Sequence, residues 1–207
     1  MTKSVLIAVP TYETITPDTF KSLWDMECPD DVDLYFDFVR GYTVEMARNK
    51  IVEKAREYGV DYVFMVDNDI MVPSNALVDL ISHDKPIVFG VYLHRDPDNP
   101  DCQKTQLCKT GQFHYREQFD TNDVLYAFNE NITLLRIKGG GLGCALVKMS
   151  VFDMIRKPYF CWRTYNKGTT LSEDLHFCEM CHEAGIEIFA DPRVQCKHLM
   201  RSFKGIE

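Results

Sequence analysis

Two carboxylates one residue apart, Asp67 and Asp69, close the apolar run Tyr62-Val63-Phe64-Met65-Val66. Side chains alternate in an extended chain, so both acids are expected on one side of the strand and Asn68 on the other. A pair placed in this way can share one hard cation such as Mg²⁺ or Mn²⁺, and that cation can hold a diphosphate. Ligands of open α/β sheets bind beyond the carboxyl ends of the strands, where this pair would stand. The expected substrate is therefore a phosphate ester. The same triplet has an ordinary explanation, because Asp and Asn are common wherever a strand turns and bond nearby backbone amides.

The elements that must position these acids follow an α/β rhythm. Val5 to Val9 reads as a first strand, Thr16-Pro17 opens a helix reaching about Trp24, and Leu34 to Val39 reads as a second strand. A helix capped by Thr43 and ended by Gly59 carries Val44, Ala47, Ile51, Ala55 and Tyr58 at helical spacing. It delivers the chain to the acid-bearing strand, whose continuous apolar run indicates burial on both faces. Pro73-Ser74 starts another helix, and Pro86 to Leu93 reads as a further buried strand.

From His94 to Arg136 the regular pattern breaks. Asp96, Pro97, Asp98, Asn99 and Pro100 mark a loop, and weak strand signals follow near Phe113, Leu125 to Phe128 and Ile132 to Ile137. This stretch is expected to be a mobile, substrate-facing insertion. Gly139 to Gly143 then leads into the apolar run Cys144 to Val147 and a short helix from Ser150; the glycines suit either a tight turn beside a cleft or direct ligand contact. Ser172 caps a helix from Glu173 to Ala184, Ile186 to Ala190 reads as a strand, and Asp191-Pro192 is expected to turn the chain into Val194 to His198. Arg201 to Glu207 reads as a tail.

At 207 residues and 45% hydrophobic content, one domain over residues 1–207 is the default. The formal net charge of −8 argues against non-specific nucleic-acid binding and against charge-driven docking on an anionic membrane. An acidic protein that handles a diphosphate needs a cation between them. No apolar run approaches the roughly 20 residues of a membrane helix, and the apolar run at the start is too short for a signal peptide, so a cytoplasmic location is expected. Eight scattered cysteines then read as free thiols.

Five local features occur in order: Val9-Pro10-Thr11-Tyr12, Ala47-Arg48-Asn49, Asp67-Asn68-Asp69, Glu173-Asp174 and His198. In this order the chain resembles the GT-A type glycosyltransferases of the family 2 kind, from about Val5 to His198. The resemblance implies a single Rossmann-like, nucleotide-sugar-binding domain, with a mostly parallel central sheet and helices on both faces. It implies that Pro10, Thr11 and Tyr12 line the nucleobase and ribose pocket, that Arg48 lies near the nucleotide, and that Asp67 and Asn68 meet the donor. Asp67, Asp69 and His198 are then the metal-side residues, with Asp69 and His198 as direct ligands. A mixed oxygen and nitrogen set suits Mn²⁺ slightly better than Mg²⁺. Asp174 would be the general base that takes a proton from the acceptor hydroxyl, which implies inversion. The partners implied are a nucleoside-diphosphate sugar, with UDP the favoured nucleotide, and a hydroxyl-bearing glycan, lipid or protein. Where many relatives carry an acidic, serine-containing stretch that contacts the base, this chain has Asp37-Phe38-Val39-Arg40-Gly41, and only Asp37 is a counterpart.

Each assignment has a plainer alternative. Arg48 on an amphipathic helix is more often solvated or ion-paired, acids favour any helix start through its dipole, and a lone histidine is more often a satisfied one. Cys178-Glu179-Met180-Cys181-His182 has the C-x-x-C-H spacing of haem attachment. It falls inside the Ser172 to Gly185 helix with Leu175, Cys178 and Cys181 on one face, so these read as core thiols. Zinc held by Cys178, Cys181, Cys196 and His198 lacks a second C-x-x-C. The alternatives to a transferase are a nucleotidyltransferase, for which no basic glycine-rich loop follows the first strand, and a non-catalytic nucleotide-sugar binder.

Overall fold

The computed structural model describes residues 2–94, 102–112, 115–165, 168 and 170–199. The Asp96 to Pro100 loop, the strand signal at Phe113 and the Arg201 to Glu207 tail lie outside these residues.

The first half builds as its periodicity predicts. Strand β1 (Lys3–Thr11) leads to α1 (Pro17–Trp24), whose N-cap Thr16 accepts the Thr19 amide at 3.2 Å. Then come β2 (Val32–Arg40), α2 (Val44–Tyr58), β3 (Tyr62–Val66), the short β4 (Ile70–Met71), α3 (Ala76–Ser82) and β5 (Ile87–Val91). Gly59 ends α2 at φ 67°, a left-handed conformation that glycine adopts without a Cβ penalty.

The second half contains β6 (Lys104–Gln112), β7 (Tyr115–Asp120), α4 (Thr121–Asn129), β8 (Leu135–Ile137), β9 (Cys144–Lys148) and α5 (Val151–Met154). It ends with β10 (Arg163–Thr164), β11 (Thr170–Leu171), α6 (Glu173–Glu183), β12 (Ile188–Gln195) and β13 (Lys197–His198). Two expectations are corrected here. Leu125 to Phe128 is helical, because Asp120 and Asp123 form a reciprocal capping box at 2.9 and 3.0 Å that commits the segment to α4. Asp191-Pro192 lies within β12, which runs through it over a register shift between Ala190 and Gln195; the buried Asp191 carboxylate accepts the Arg193 amide at 2.9 Å.

Seven strands form the central sheet in the order β2-β1-β3-β9-β5-β12-β8. Five share one direction; β9 and β8 run against their neighbours. Helices cover both faces. Val63 and Met65 of β3 join the layer packed on α2 and α6, and Tyr62, Phe64 and Val66 join the layer packed on α1 and α3, so the whole run is buried. Complete burial of such a side chain is worth about 1.5–3 kcal/mol. The carboxyl ends of β1, β2, β3, β5 and β12 open at one mouth. Because β9 is reversed, the Gly139 to Gly143 segment that precedes it arrives at the same mouth.

Candidate functional site

Residues 67–69 form a turn just past β3 and not an extended continuation of it: the Ile70 amide donates to Asp67 O at 3.1 Å. This corrects the expectation that alternation aims both acids one way. Asp67 turns to Arg48, whose Nη2 donates to Asp67 Oδ1 at 2.9 Å and Oδ2 at 3.2 Å. Asp69 turns to His198, with 3.4 Å between Oδ2 and Nε2. His198 is brought there by β13, which pairs antiparallel with β4 and places His198 opposite Ile70.

Arg48 lies on the buried stripe of α2 with Ala47, Ile51, Val52 and Ala55, and is only 2% exposed. Val44 and Tyr58, grouped with that stripe by spacing, are exposed. A guanidinium there is stable only with carboxylate partners. It bonds Asp67 with one nitrogen and Glu173 Oε1 with Nη1, and its Nε has no partner among the described residues. Burial opposes its charge, yet Asp67, Glu173 and Asp174 together hold its pKa above the ordinary arginine value. Burial raises the Glu173 carboxyl against the pull of Arg48. Arg48 is therefore turned inward beneath the mouth, where it fixes Asp67 and the start of α6.

Asp174, next on α6, is held by Ser172 Oγ and by the Leu175 amide, which donates to Oδ1 at 2.7 Å. With Ser172, Tyr92, Gln106, Gln118 and His198 it lines a cavity of about 200 Å³. The glycines close this wall. A Cβ on Gly143 would stand 2.7 Å from the Tyr92 hydroxyl and 3.1 Å from Asp67 Oδ2, and one on Gly141 would stand 2.6 Å from that hydroxyl and 3.4 Å from Asp174 Oδ2. Tyr92 Oη accepts the Gly143 amide at 3.1 Å, and its ring meets His198 edge to face at 5.5 Å. Burial, with Asp67 and Asp174 nearby, raises the phenol pKa well above its ordinary value.

The residues assigned to the donor are spread around the mouth. Pro10 and Thr11 are buried at the end of β1, while Tyr12 is 70% exposed and its carbonyl accepts the Gly41 amide. Asn68 Nδ2 donates to Thr14 O at 2.8 Å and to Thr11 Oγ1 at 3.3 Å, and Asn68 O accepts the Thr16 amide. Asn68 thus laces the loop after β1 to the acidic turn. Asp37 stands opposite Ala8, three residues before the end of β2, and is bonded to Lys54 at 2.5 Å. Tyr92, Gln106 and Gln118 carry no motif and are not singled out by the sequence; only the tertiary contact of Tyr92, one residue past β5, with the glycine segment identifies it. Cys178 and Cys181 are buried core thiols.

Asp69 and His198 fit one divalent ion. Two donors each about 2.1 Å from a shared ion lie roughly 3 Å apart, close to their separation here. No group of three or more His, Cys, Asp or Glu side chains converges on a metal position among the described residues. The Asp69 hydrogen bond raises the His198 pKa, against burial.

No family model matches the chain, and no curated protein matches it. Solved structures do. A197 from STIV aligns with a TM-score of 0.62 at 14% identity, over 95% of this chain and 86% of that one. GalNAc-T7, solved with UDP, GalNAc and Mn²⁺, aligns with a TM-score of 0.55 at 13% identity over 97% of this chain. TarS 1–349 of S. aureus, in complex with UDP-GlcNAc, aligns with a TM-score of 0.54 at 11% identity over 96% of this chain. The chain spans 44% of the GalNAc-T7 chain and 60% of the TarS chain. Among the described residues no helix is long and apolar enough to cross a membrane. The order of strands, the helices on both faces and these alignments together give the chain a GT-A-type, glycosyltransferase-like fold.

Proposed function

We propose that the chain transfers a sugar from a nucleoside-diphosphate donor, UDP in the first instance, to an acceptor hydroxyl with inversion. The observation that carries this reading is the meeting of Asp69, His198 and Asp174 around one mouth, in a fold shared with proteins solved with UDP and Mn²⁺ or with UDP-GlcNAc. Asp69 and His198 would hold a divalent cation, Mn²⁺ or Mg²⁺, which neutralises charge on the departing diphosphate. Arg48 faces Asp67, Glu173 and Asp174, so the mouth has more carboxylate than fixed positive charge to meet it. That surplus favours a cation.

Pro10, Thr11 and Tyr12 border the donor side, with Asn68 holding their loop against the acidic turn. Asp174 orients the acceptor hydroxyl and receives its proton, held in place by Ser172 and the Leu175 amide. Residues 94–136 serve the acceptor, since His94, Gln106 and Gln118 line the cavity with Asp174.

A thermal-shift screen of nucleoside diphosphates with and without Mn²⁺ tests the reading, because a ligand that binds the native state raises the melting temperature. A shift with UDP that needs Mn²⁺, together with slow hydrolysis of a UDP-sugar, is expected. Binding without hydrolysis or transfer would point to a non-catalytic binder, and no diphosphate response at all would overturn the reading.

A further inference from the structure

The fold treats the two faces of β2 differently. On one face Tyr35, itself 40% exposed, packs on Tyr58 of α2 with ring centroids 5.4 Å apart, Asp37 is bonded to Lys54, and Val39 is buried. On the other face Leu34, Phe36 and Phe38 stand in register with the buried Val5, Ile7 and Val9 of β1, yet are 40%, 40% and 37% exposed. α1 packs its Leu23 into the same layer as Val5, Ile7 and Val9 and leaves Phe20 and Trp24 exposed.

β2 is also an edge of the sheet, paired only with β1 among the described residues. That pairing runs through all nine residues without a register shift, and Val32–Arg40 contains no proline or lysine. Natural sheets use proline, bulges and charged side chains to stop edges from pairing with another chain; β2 lacks the first two, and its charges are Asp33, Asp37 and Arg40. An open edge about 30 Å long, with apolar side chains on its uncovered face, suits another strand.

We propose that β2 pairs antiparallel with β2 of a second copy of this chain, joining two sheets across a two-fold axis. The charge order along the strand selects a second copy as the partner. Asp30, Asp31 and Asp33 lie at one end and Arg40 at the other, all exposed, and none forms an ion pair among the described residues. A two-fold contact matches a surface with itself. Antiparallel pairing therefore sets each Arg40 against the acidic end of the opposite strand. Centred on Tyr35, it lays Phe36 against Leu34 and Phe38 against Val32. It also opposes Asp33 and Asp37, a repulsion relieved by Lys54, 2.5 Å from Asp37.

Sedimentation velocity on the full chain over a concentration series tests the pairing. The mass of two chains is expected, falling to one chain in Phe36→Asp, whose circular dichroism and melting temperature stay close to those of the parent because Phe36 is half-exposed. Arg40→Asp should weaken the dimer more than about tenfold by setting like charges together, and Asp30→Arg with Asp31→Arg in the same chain should restore it. Three results would overturn the proposal: a single-chain mass at every concentration, a dimer that Phe36→Asp leaves intact, or a monomer that instead floats with phosphatidylcholine vesicles.

Discussion

Asp67 and Asp69 are one residue apart and almost equally exposed, with side-chain exposures of 29% and 28%, yet they belong to different electrostatic regions. Asp67 is tied to Arg48, a buried and permanently charged cation that also holds Glu173. Asp69 is tied to His198, whose charge depends on a proton. Solvent access does not distinguish the two acids; their partners do. The inner region is built to stay as it is. On the proposed reading the outer one would exchange a proton for a divalent cation, since a metal-bound imidazole must be neutral.

That contrast can be attacked from both sides. Replacing Asp174, which the inner region positions, by Asn should lower turnover by roughly 10²–10⁴-fold while Mn²⁺-dependent UDP binding persists. Steady-state kinetics beside calorimetry would separate the two, and intact turnover would place the base elsewhere. Arg48→Met leaves Asp67 and Glu173 facing each other without their cation, and should cost about 3–5 kcal/mol of stability in urea unfolding. Adding Glu173→Gln should recover part of that loss.

Asp69→Ala should behave differently, leaving stability within about 1 kcal/mol of the parent, because its partner is a partly exposed histidine 3.4 Å away and not a buried, permanently charged guanidinium. Its effect should fall on the ligand: at a hundredfold excess over Kd, the roughly 2.7 kcal/mol of stabilisation by UDP with Mn²⁺ should vanish from the melting curve. Equal responses of the Arg48 and Asp69 variants would erase the distinction between the regions. Gly143→Ala sharpens it further. Its Cβ would press on the Tyr92 hydroxyl and Asp67, costing about 1–3 kcal/mol through overpacking and disturbing the inner acid directly, while His198 is reached only through the Tyr92 ring.

Much of this arrangement was legible in the residues. The helix at Thr43 to Gly59 and that at Ser172 to Gly185 agree closely with their observed ends, because apolar spacing and a terminal glycine are local signals; the expected caps differ, since the Thr43 and Ser172 hydroxyls bond the Glu45 and Asp174 carboxylates and no backbone amide of the first turn. The resemblance assigns Asp69 and His198 to one cation; what the structure adds is that β4 paired with β13 brings the two side chains together. Leu125 to Phe128 was misread because four apolar residues in a row fit a strand as well as a helix, and the decisive signal was the acid pair Asp120 and Asp123 ahead of them. Arg48 carried a readable hint in its place one turn before Ile51 and Val52. A guanidinium on a buried stripe must find carboxylates.

By itself the sequence determined which segments become helix or strand over most of the chain, that β3 is buried on both faces, and which acids stand at strand and helix ends. These depend on side-chain period and capping, which act within a few residues. Only the tertiary structure decided that β9 and β8 run backwards, that the glycine segment thereby reaches the mouth, and that neighbouring aspartates face an arginine and a histidine. Strand direction and ion pairing are settled between residues 19, 125 and more than 100 positions apart, and no local pattern encodes which distant partner wins.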